Sequence, residues 1–124
     1  MSTAVNPKSG DGLTGWSSAA EDPIQVIIPG ASEDCSFPAT GNAALAYGPF
    51  NAKVVRVAVD ISQGATGLRY ARASTSAAAV TAASNPGVLI PGSIVEYIGL
   101  YLGDYIAFVS NDANAGVANV TVAE

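Results

Sequence analysis

Few side chains in this sequence have the type and spacing that catalysis requires. The chain contains no histidine, which excludes Ser-His-acid and Cys-His catalysis and histidine-based metal sites. Its single cysteine, Cys35, directly follows Glu33 and Asp34. Negative charge beside a thiol raises its pKa and makes it a poor nucleophile. We therefore interpret Cys35 as a packed thiol, and a lone cysteine forms no internal disulfide.

Carboxylates are the next candidates for chemistry. A glycosidase needs two of them at a set separation across the scissile bond. The sequence brings no two acids to that separation, and most of them adjoin turn residues, so solvated loop carboxylates are the favoured interpretation. The acids considered are Glu33, Asp34, Asp60, Glu96 and Asp104.

One segment has oxygen-bearing side chains at alternate positions, as a calcium loop does. This segment, NDANAG (Asn111 to Gly116), lacks the later bidentate Glu of such loops, and Asn, Asp and Gly are also the residues that hairpin turns prefer. A turn is therefore the favoured interpretation. The sequence predicts no catalytic residue, no metal site and no cofactor, and hence a protein that is not an enzyme.

Tyrosines near the carboxyl end form the remaining candidate site. Alternation along Ser93 to Leu102 places Tyr97 and Tyr101 on one strand face, with Tyr105 close behind in the sequence. Exposed aromatic rings can stack on sugars, but packing or a subunit contact is the favoured use. We expect Tyr97 and Tyr101 to be surface aromatic contacts.

Composition points away from charged partners and towards protein neighbours. Only 12% of the 124 residues are charged, about half the usual ~25%, and the net charge is −5. This balance disfavours nucleic acid and anionic lipid as partners. No run approaches the ~20 apolar residues of a membrane helix. Met1 to Leu13 shows no charged start followed by an apolar run, so no secretory signal is expected there. A surface so poor in charge is prone to association, which predicts that partners cover it.

Strand patterns dominate the second half of the chain. In Lys53 to Ile61, Val55, Val57, Val59 and Ile61 alternate with polar or small residues, so we expect all four on one buried face. Leu68 to Ser74 alternates in the same way. The segments Ser93 to Leu102, Tyr105 to Ser110 and Val117 to Ala123 are separated by short turns and predict an antiparallel meander.

Each of the three Pro-Gly pairs predicts a sharp turn, and two of them, Pro29-Gly30 and Pro91-Gly92, follow short apolar strands. Residues 32–50 are expected to form a loop followed by a strand. The segment Thr75 to Gly87 is rich in alanine, but its Ser, Thr and Asn-Pro residues favour a loop or an irregular strand.

These elements predict an all-β fold, an antiparallel β-sandwich or jelly-roll-like barrel of about seven or eight strands, over residues 23–124. Residues 1–22 are rich in Ser, Gly, Ala and Asn and predict an extended N-terminal arm. Leu13 and Trp16 are the expected anchors of that arm on a partner, although Trp16 packing on its own domain is an equal alternative.

Residues 66–124 resemble small all-β virion proteins of tailed bacteriophages. The resemblance rests on the corner Pro91-Gly92, the strand Tyr105-Ile106-Ala107 and the terminal strand Val120-Thr121-Val122. It implies a decoration, or cement, protein on the head surface, assembled in the host cytoplasm and bound to the major capsid protein. By analogy, a homo-oligomer is expected, with a trimer favoured, and no nucleic acid, membrane or small-molecule substrate.

Two other classes remain open. Another phage structural component, such as a head–tail connector, tail or fibre subunit, would share the β fold and the arm. A carbohydrate-binding module would use Tyr97 and Tyr101 instead.

Overall fold

The computed structural model describes residues 8–9, 12–13 and 28–123. Its described part is an antiparallel β-sandwich of two four-stranded sheets with one short α-helix on the outside. The predicted all-β sandwich of seven or eight strands is confirmed, and neither sheet closes into a barrel. Trp16 and the 22/23 boundary between arm and domain lie outside the described residues, and only the backbone of Leu13 lies within them. The strands and helices are β1 Lys8–Ser9, β2 Gly12–Leu13, β3 Pro29–Phe37, β4 Leu45–Phe50, β5 Val54–Asp60, β6 Gly67–Ala73, α1 Ser76–Ala83, β7 Val88–Pro91, β8 Val95–Gly99, β9 Asp104–Ser110 and β10 Gly116–Ala123, with a 3-10 turn at Ile61–Gln63.

The strands are ordered β3-β10-β5-β8 in the first sheet and β4-β9-β6-β7 in the second, while β1 and β2 pair with each other in parallel. Apart from the paired β6 and β7, strands of the sandwich that follow one another along the chain alternate between sheets: β8 lies in the first, β9 in the second and β10 in the first again. The predicted meander of these three strands is wrong. Turn residues mark where a strand ends, but they do not determine whether the next strand pairs with it or crosses to the other sheet.

Alternating residues of both sheets fill the space between them. Strand β5 buries Val55, Val57 and Val59 on this inner side, as predicted, and Leu68 on β6 faces them from the second sheet. Ile61 departs from the pattern, because the chain turns into the 3-10 segment after Asp60 and leaves Ile61 63% exposed. Large side chains from both sheets complete the core: Phe37, Phe50, Ile90, Ile98, Ile106, Phe108 and Val120.

Helix α1 corrects the expectation of a loop or irregular strand over Thr75 to Gly87. Five of its eight residues are alanine, the strongest helix former, and the Thr75 hydroxyl accepts a hydrogen bond from the Ala78 N–H at 3.2 Å as the N-cap. The helix ends at Ala83, before Pro86. Ala79 and Ala83 pack against the outer side of the second sheet, where small residues permit close approach.

The first Pro-Gly pair is not a turn, because Pro29 and Gly30 are the first residues of β3. That strand covers most of the segment expected to be a loop, since it continues to Phe37 and pairs with β10 along its length. Pro91-Gly92 does lie at a turn, closed by a 3.1 Å hydrogen bond from the Ile94 N–H to the Pro91 carbonyl. Pro91 is the first residue of this turn and Gly92 the second, so the pair does not fill the two central positions of a type II turn.

Candidate interaction surface

Cys35 is fully buried on β3, as expected of a packed thiol. Burial raises the pKa of Cys35 to about 12, and the charges of Glu33 and Asp34 add to the effect. A thiol with this pKa is protonated at neutral pH, so it is neither nucleophilic nor a ready metal ligand.

The Asp112 side chain organises the loop NDANAG by accepting hydrogen bonds. One carboxylate oxygen accepts from the Thr66 hydroxyl at 2.8 Å, and the other accepts from the Asn114 N–H at 2.9 Å. The hydrogen bonds from Asn114 and Thr66 lower the pKa of Asp112 to about 2. This carboxylate therefore ties the β9–β10 loop to the start of β6. Among the residues that the structure describes, no three Cys, Asp or Glu side chains gather as a metal ion would need.

Three of the five acids considered, Asp34, Asp60 and Asp104, also have separate structural partners. Asp60 caps the 3-10 turn by accepting from the Ser62 N–H at 3.1 Å and also accepts from the Ser62 hydroxyl at 2.6 Å. Asp34 accepts from the Asn119 side-chain amide at 3.1 Å. Asp104 corrects the expectation of solvated loop carboxylates, because it is buried at the start of β9 and pairs with Arg72 at 3.0 Å. These contacts hold loops and strands in place.

No helix of the described residues is long and apolar enough to span a membrane.

Exposed apolar side chains are concentrated along one stretch of the chain. Ten large apolar residues of the described part are at least 40% exposed, and seven of them fall between Val88 and Leu102. That stretch contains the edge strands β7 and β8, which lie on the same side of the sandwich, and the turns that follow them. We call these seven residues the apolar edge: Val88, Leu89, Ile94, Val95, Tyr97, Tyr101 and Leu102.

The structure separates the two tyrosines that the sequence placed on one strand face. Tyr97 lies on β8 and is 55% exposed, but β8 ends at Gly99, so Tyr101 belongs to the following turn. There the Arg72 guanidinium carbon lies 5.0 Å from the centre of the Tyr101 ring. Both rings are exposed, as a surface contact requires, but one face of Tyr101 is occupied by Arg72. The expected aromatic pair on a single strand is not formed.

A cleft of about 490 Å³ opens between the two sheets beside β8. Tyr97 and Gly99 line it from the first sheet, and Tyr70, Arg72 and Val88 line it from the second. Burial raises the pKa of Tyr70, and the nearby charge of Glu96 adds to this effect. The cleft is therefore continuous with the apolar edge, and it holds neither a nucleophile nor an acid–base pair.

Strand β8 also differs from the three other edge strands of the sandwich. Strands β3, β4 and β7 each contain a proline, at Pro29, Pro49 and Pro91, and the pairing of β3 and of β4 with their neighbours is irregular. Strand β8 has no proline, and its five residues pair with β5 in unbroken register. Prolines and bulges are devices that prevent an edge from pairing with another chain, and β8 carries neither.

Sequence reasoning identified Tyr97 and Tyr101 but not the other members of the apolar edge. The signal was present, because apolar residues occupy both alternation phases from Val88 to Leu102. Strands with one solvated face alternate apolar and polar residues. Apolar residues in both phases therefore place apolar side chains on the outer side of the sheet as well as in the core, and in the structure Leu89, Val95 and Tyr97 of β7 and β8 are exposed on that outer side.

The chain was compared with protein-family models, with curated proteins and with solved structures, and nothing matches it in any of the three.

Proposed function

We propose that this chain is a structural virion protein of the decoration, or cement, type. It binds the outer surface of a tailed-phage head, contacts the major capsid protein and stabilises the assembled shell. The main support is the apolar edge, which leaves seven large side chains uncovered in a chain with only 12% charged residues. Exposed apolar patches mark sites of contact with proteins, membranes or ligands, and the resemblance to virion proteins favours a protein partner here.

The organisation of the described residues also supports a structural role. Their polar clusters, around Asp104, Asp112 and Asp60, are joined by internal hydrogen bonds and serve to hold turns. The segments that carry the resemblance to phage proteins coincide with the turn after β7 and with strands β9 and β10. Decoration of a shell needs a stable domain and a contact surface, and needs no reactive group.

The N-terminal arm is the second contact in this proposal, with Trp16 as its anchor. Burial of a tryptophan stabilises a complex by roughly 2–3 kcal/mol. We expect Trp16→Ala to lower the occupancy of the protein on purified heads at matched concentration, and Trp16→Phe to retain most of it. Occupancy is measured by co-sedimentation with heads that lack the protein, and unchanged occupancy of Trp16→Ala would remove the arm from the proposal.

The proposal as a whole is tested with particles produced with and without this chain. We expect particles with the chain to carry hundreds of copies on the head in a cryo-EM map, and to resist heat or loss of divalent ions better than particles without it. A handful of copies at the neck or tail would indicate the connector, tail or fibre alternative. Equal resistance of both particles would refute the cement function.

A carbohydrate-binding module is the alternative from another class, supported by the exposure of Tyr97 and Tyr101. It predicts binding on a glycan array that is lost in Tyr97→Ala. The cement proposal predicts no glycan binding, so this assay separates the two functions without heads.

A further inference from the structure

We infer that β8 pairs with β8 of a second copy of this chain, joining two first sheets into one antiparallel sheet of eight strands about a twofold axis. This inference goes beyond the proposed function, because it concerns the protein alone in solution. It begins with the edge itself: β8 is regular and without proline, and among the residues that the structure describes no strand pairs with its outer side. An edge of this kind presents backbone N–H and C=O groups to a further strand.

Side chains along β8 select the register of such a pair. When Tyr97 of one copy lies opposite Tyr97 of the other, Val95 lies opposite Gly99. The space beside Gly99 is open, since a Cβ placed there has no atom within 4 Å, so it accommodates Val95. In this register Glu96 lies opposite Ile98. A register centred on Glu96 would instead place two carboxylates directly opposite each other, which is unfavourable.

Apolar side chains of β8 itself lie at the inferred contact. Val95 and Tyr97 project to the outer side of the first sheet and are 40% and 55% exposed. Pairing of β8 brings each of them against a residue of the second copy. Leu89 lies on the outer side of the second sheet, and Tyr101 and Leu102 lie in the turn after β8, so these three side chains stay available to a head.

Electrostatics favour a second copy over a charged partner. Glu96 is the only ionisable acid or base in the stretch from Val88 to Leu102 apart from the tyrosines. Two copies that meet at this edge therefore bring few like charges together, despite the net charge of −5 on each chain. Contacts made by the same patch on both subunits are typical of twofold dimers.

The first test is the mass of the full-length protein in solution, without heads, by sedimentation equilibrium over a range of concentrations. We expect twice the monomer mass of 12.4 kDa. Val95→Lys introduces the charge that natural edge strands use against pairing, and we expect it to shift the dimer to monomer. Leu45→Lys is the matched control, because Leu45 is 45% exposed on β4, on the opposite side of the sandwich; it should remain dimeric.

The second test is covalent and still applies if Val95→Lys destabilises the fold. In Tyr97→Cys the two introduced thiols lie opposite each other in the inferred register, so a short bifunctional maleimide should join two copies. Cys35 does not interfere, because it is buried in the native protein. Leu45→Cys should give no such product. A monomeric wild-type protein, a trimer unaffected by Val95→Lys, or cross-linking of Tyr97→Cys no greater than of Leu45→Cys would each overturn the inference.

Head binding and dimer formation are measured separately, so either can fail alone. A dimer that does not bind heads would refute the proposed function and leave the β8 pairing in place. A monomer that binds heads would refute the β8 pairing and leave the proposed function in place.

Discussion

The Arg72 guanidinium lies 3.0 Å from Oδ2 of Asp104, and the same oxygen accepts the Tyr101 N–H at 2.9 Å. Asp104 is only 3% exposed, so its buried carboxylate depends on these two donors for its hydrogen bonds. The Arg72 side chain also lies over the Tyr101 ring. The three residues together hold the turn between β8 and β9 against the second sheet, at the end of the apolar edge.

Asp104→Asn should therefore destabilise the protein. The substitution removes the charge that Arg72 faces and replaces an acceptor with an amide, at an expected cost of about 1–3 kcal/mol in the free energy of unfolding. Urea denaturation at neutral pH measures the change. Glu33→Gln, at an exposed position of β3, is the control and should stay within about 0.5 kcal/mol of wild type. Equal effects of both substitutions would contradict the assigned role of Asp104.

The lowered pKa of Asp112 predicts that wild type and Asp112→Asn differ in stability by an amount that depends on pH. The pKa of Asp112 is lowered to about 2 in the folded protein from an ordinary value of 3.8, so the unfolded chain binds the proton first as the pH falls. The stabilisation is complete above about pH 4 and is lost as the pH falls through about 2. Asp112→Asn removes this contribution. We expect the urea midpoint of wild type to exceed that of the variant at pH 6, and the difference to become smaller towards pH 2. A constant difference across this range would contradict a stabilising role of the ionised Asp112 carboxylate.

Cys35 should be unreactive in the native protein. Its burial and a pKa of about 12 leave almost no accessible thiolate at pH 8. We expect an aromatic disulfide reagent to react with it only as fast as the protein opens, and at once in denaturant. Leu45→Cys adds an exposed thiol as an internal reference, and that thiol should react immediately. Rapid labelling of the wild-type protein would show that β3 is open in solution.

Two glycines should respond oppositely to replacement by alanine. A Cβ at Gly87 would lie 2.5 Å from the Tyr70 carbonyl oxygen and 2.9 Å from that of Ala83. Backbone would have to move between α1 and β7, so Gly87→Ala should cost about 1–3 kcal/mol. Gly99→Ala meets no atom within 4 Å and should be neutral or slightly stabilising. Thermal unfolding of the two variants measures the difference. A larger loss of stability in Gly99→Ala than in Gly87→Ala would contradict this prediction.

Sequence patterns located most strands because the inner side of a sandwich imposes a period of two, as β5 illustrates. They failed at α1, where the packing of Ala79 and Ala83 on the second sheet decides between helix and loop. The sequence patterns also failed to predict which strands pair with each other after a turn. Whether β9 pairs with β8 or crosses to the other sheet depends on contacts far away in the chain, which local turn residues do not encode.

Only part of the candidate surface could be predicted from the sequence, again because local residues do not encode which strands become sheet edges. Tyr97 was noticed by its residue type, whereas the exposure of Val95 and Val88 follows from their strands lying at sheet edges. Edge position is a property of topology. A single sequence shows that a strand is apolar on both faces, but not that one side has no neighbour.

Strand β10 occupies the interior of the first sheet, hydrogen-bonded to β3 on one side and to β5 on the other. During synthesis on the ribosome, β3 and β5 emerge long before β10 and have no permanent partner between them until it arrives. The β5–β8 pair can form earlier, but the first sheet is completed only when β10 is inserted, and pairing between segments so far apart in the sequence slows folding. Until that moment the growing polypeptide presents the open sides of β3 and β5 to its surroundings.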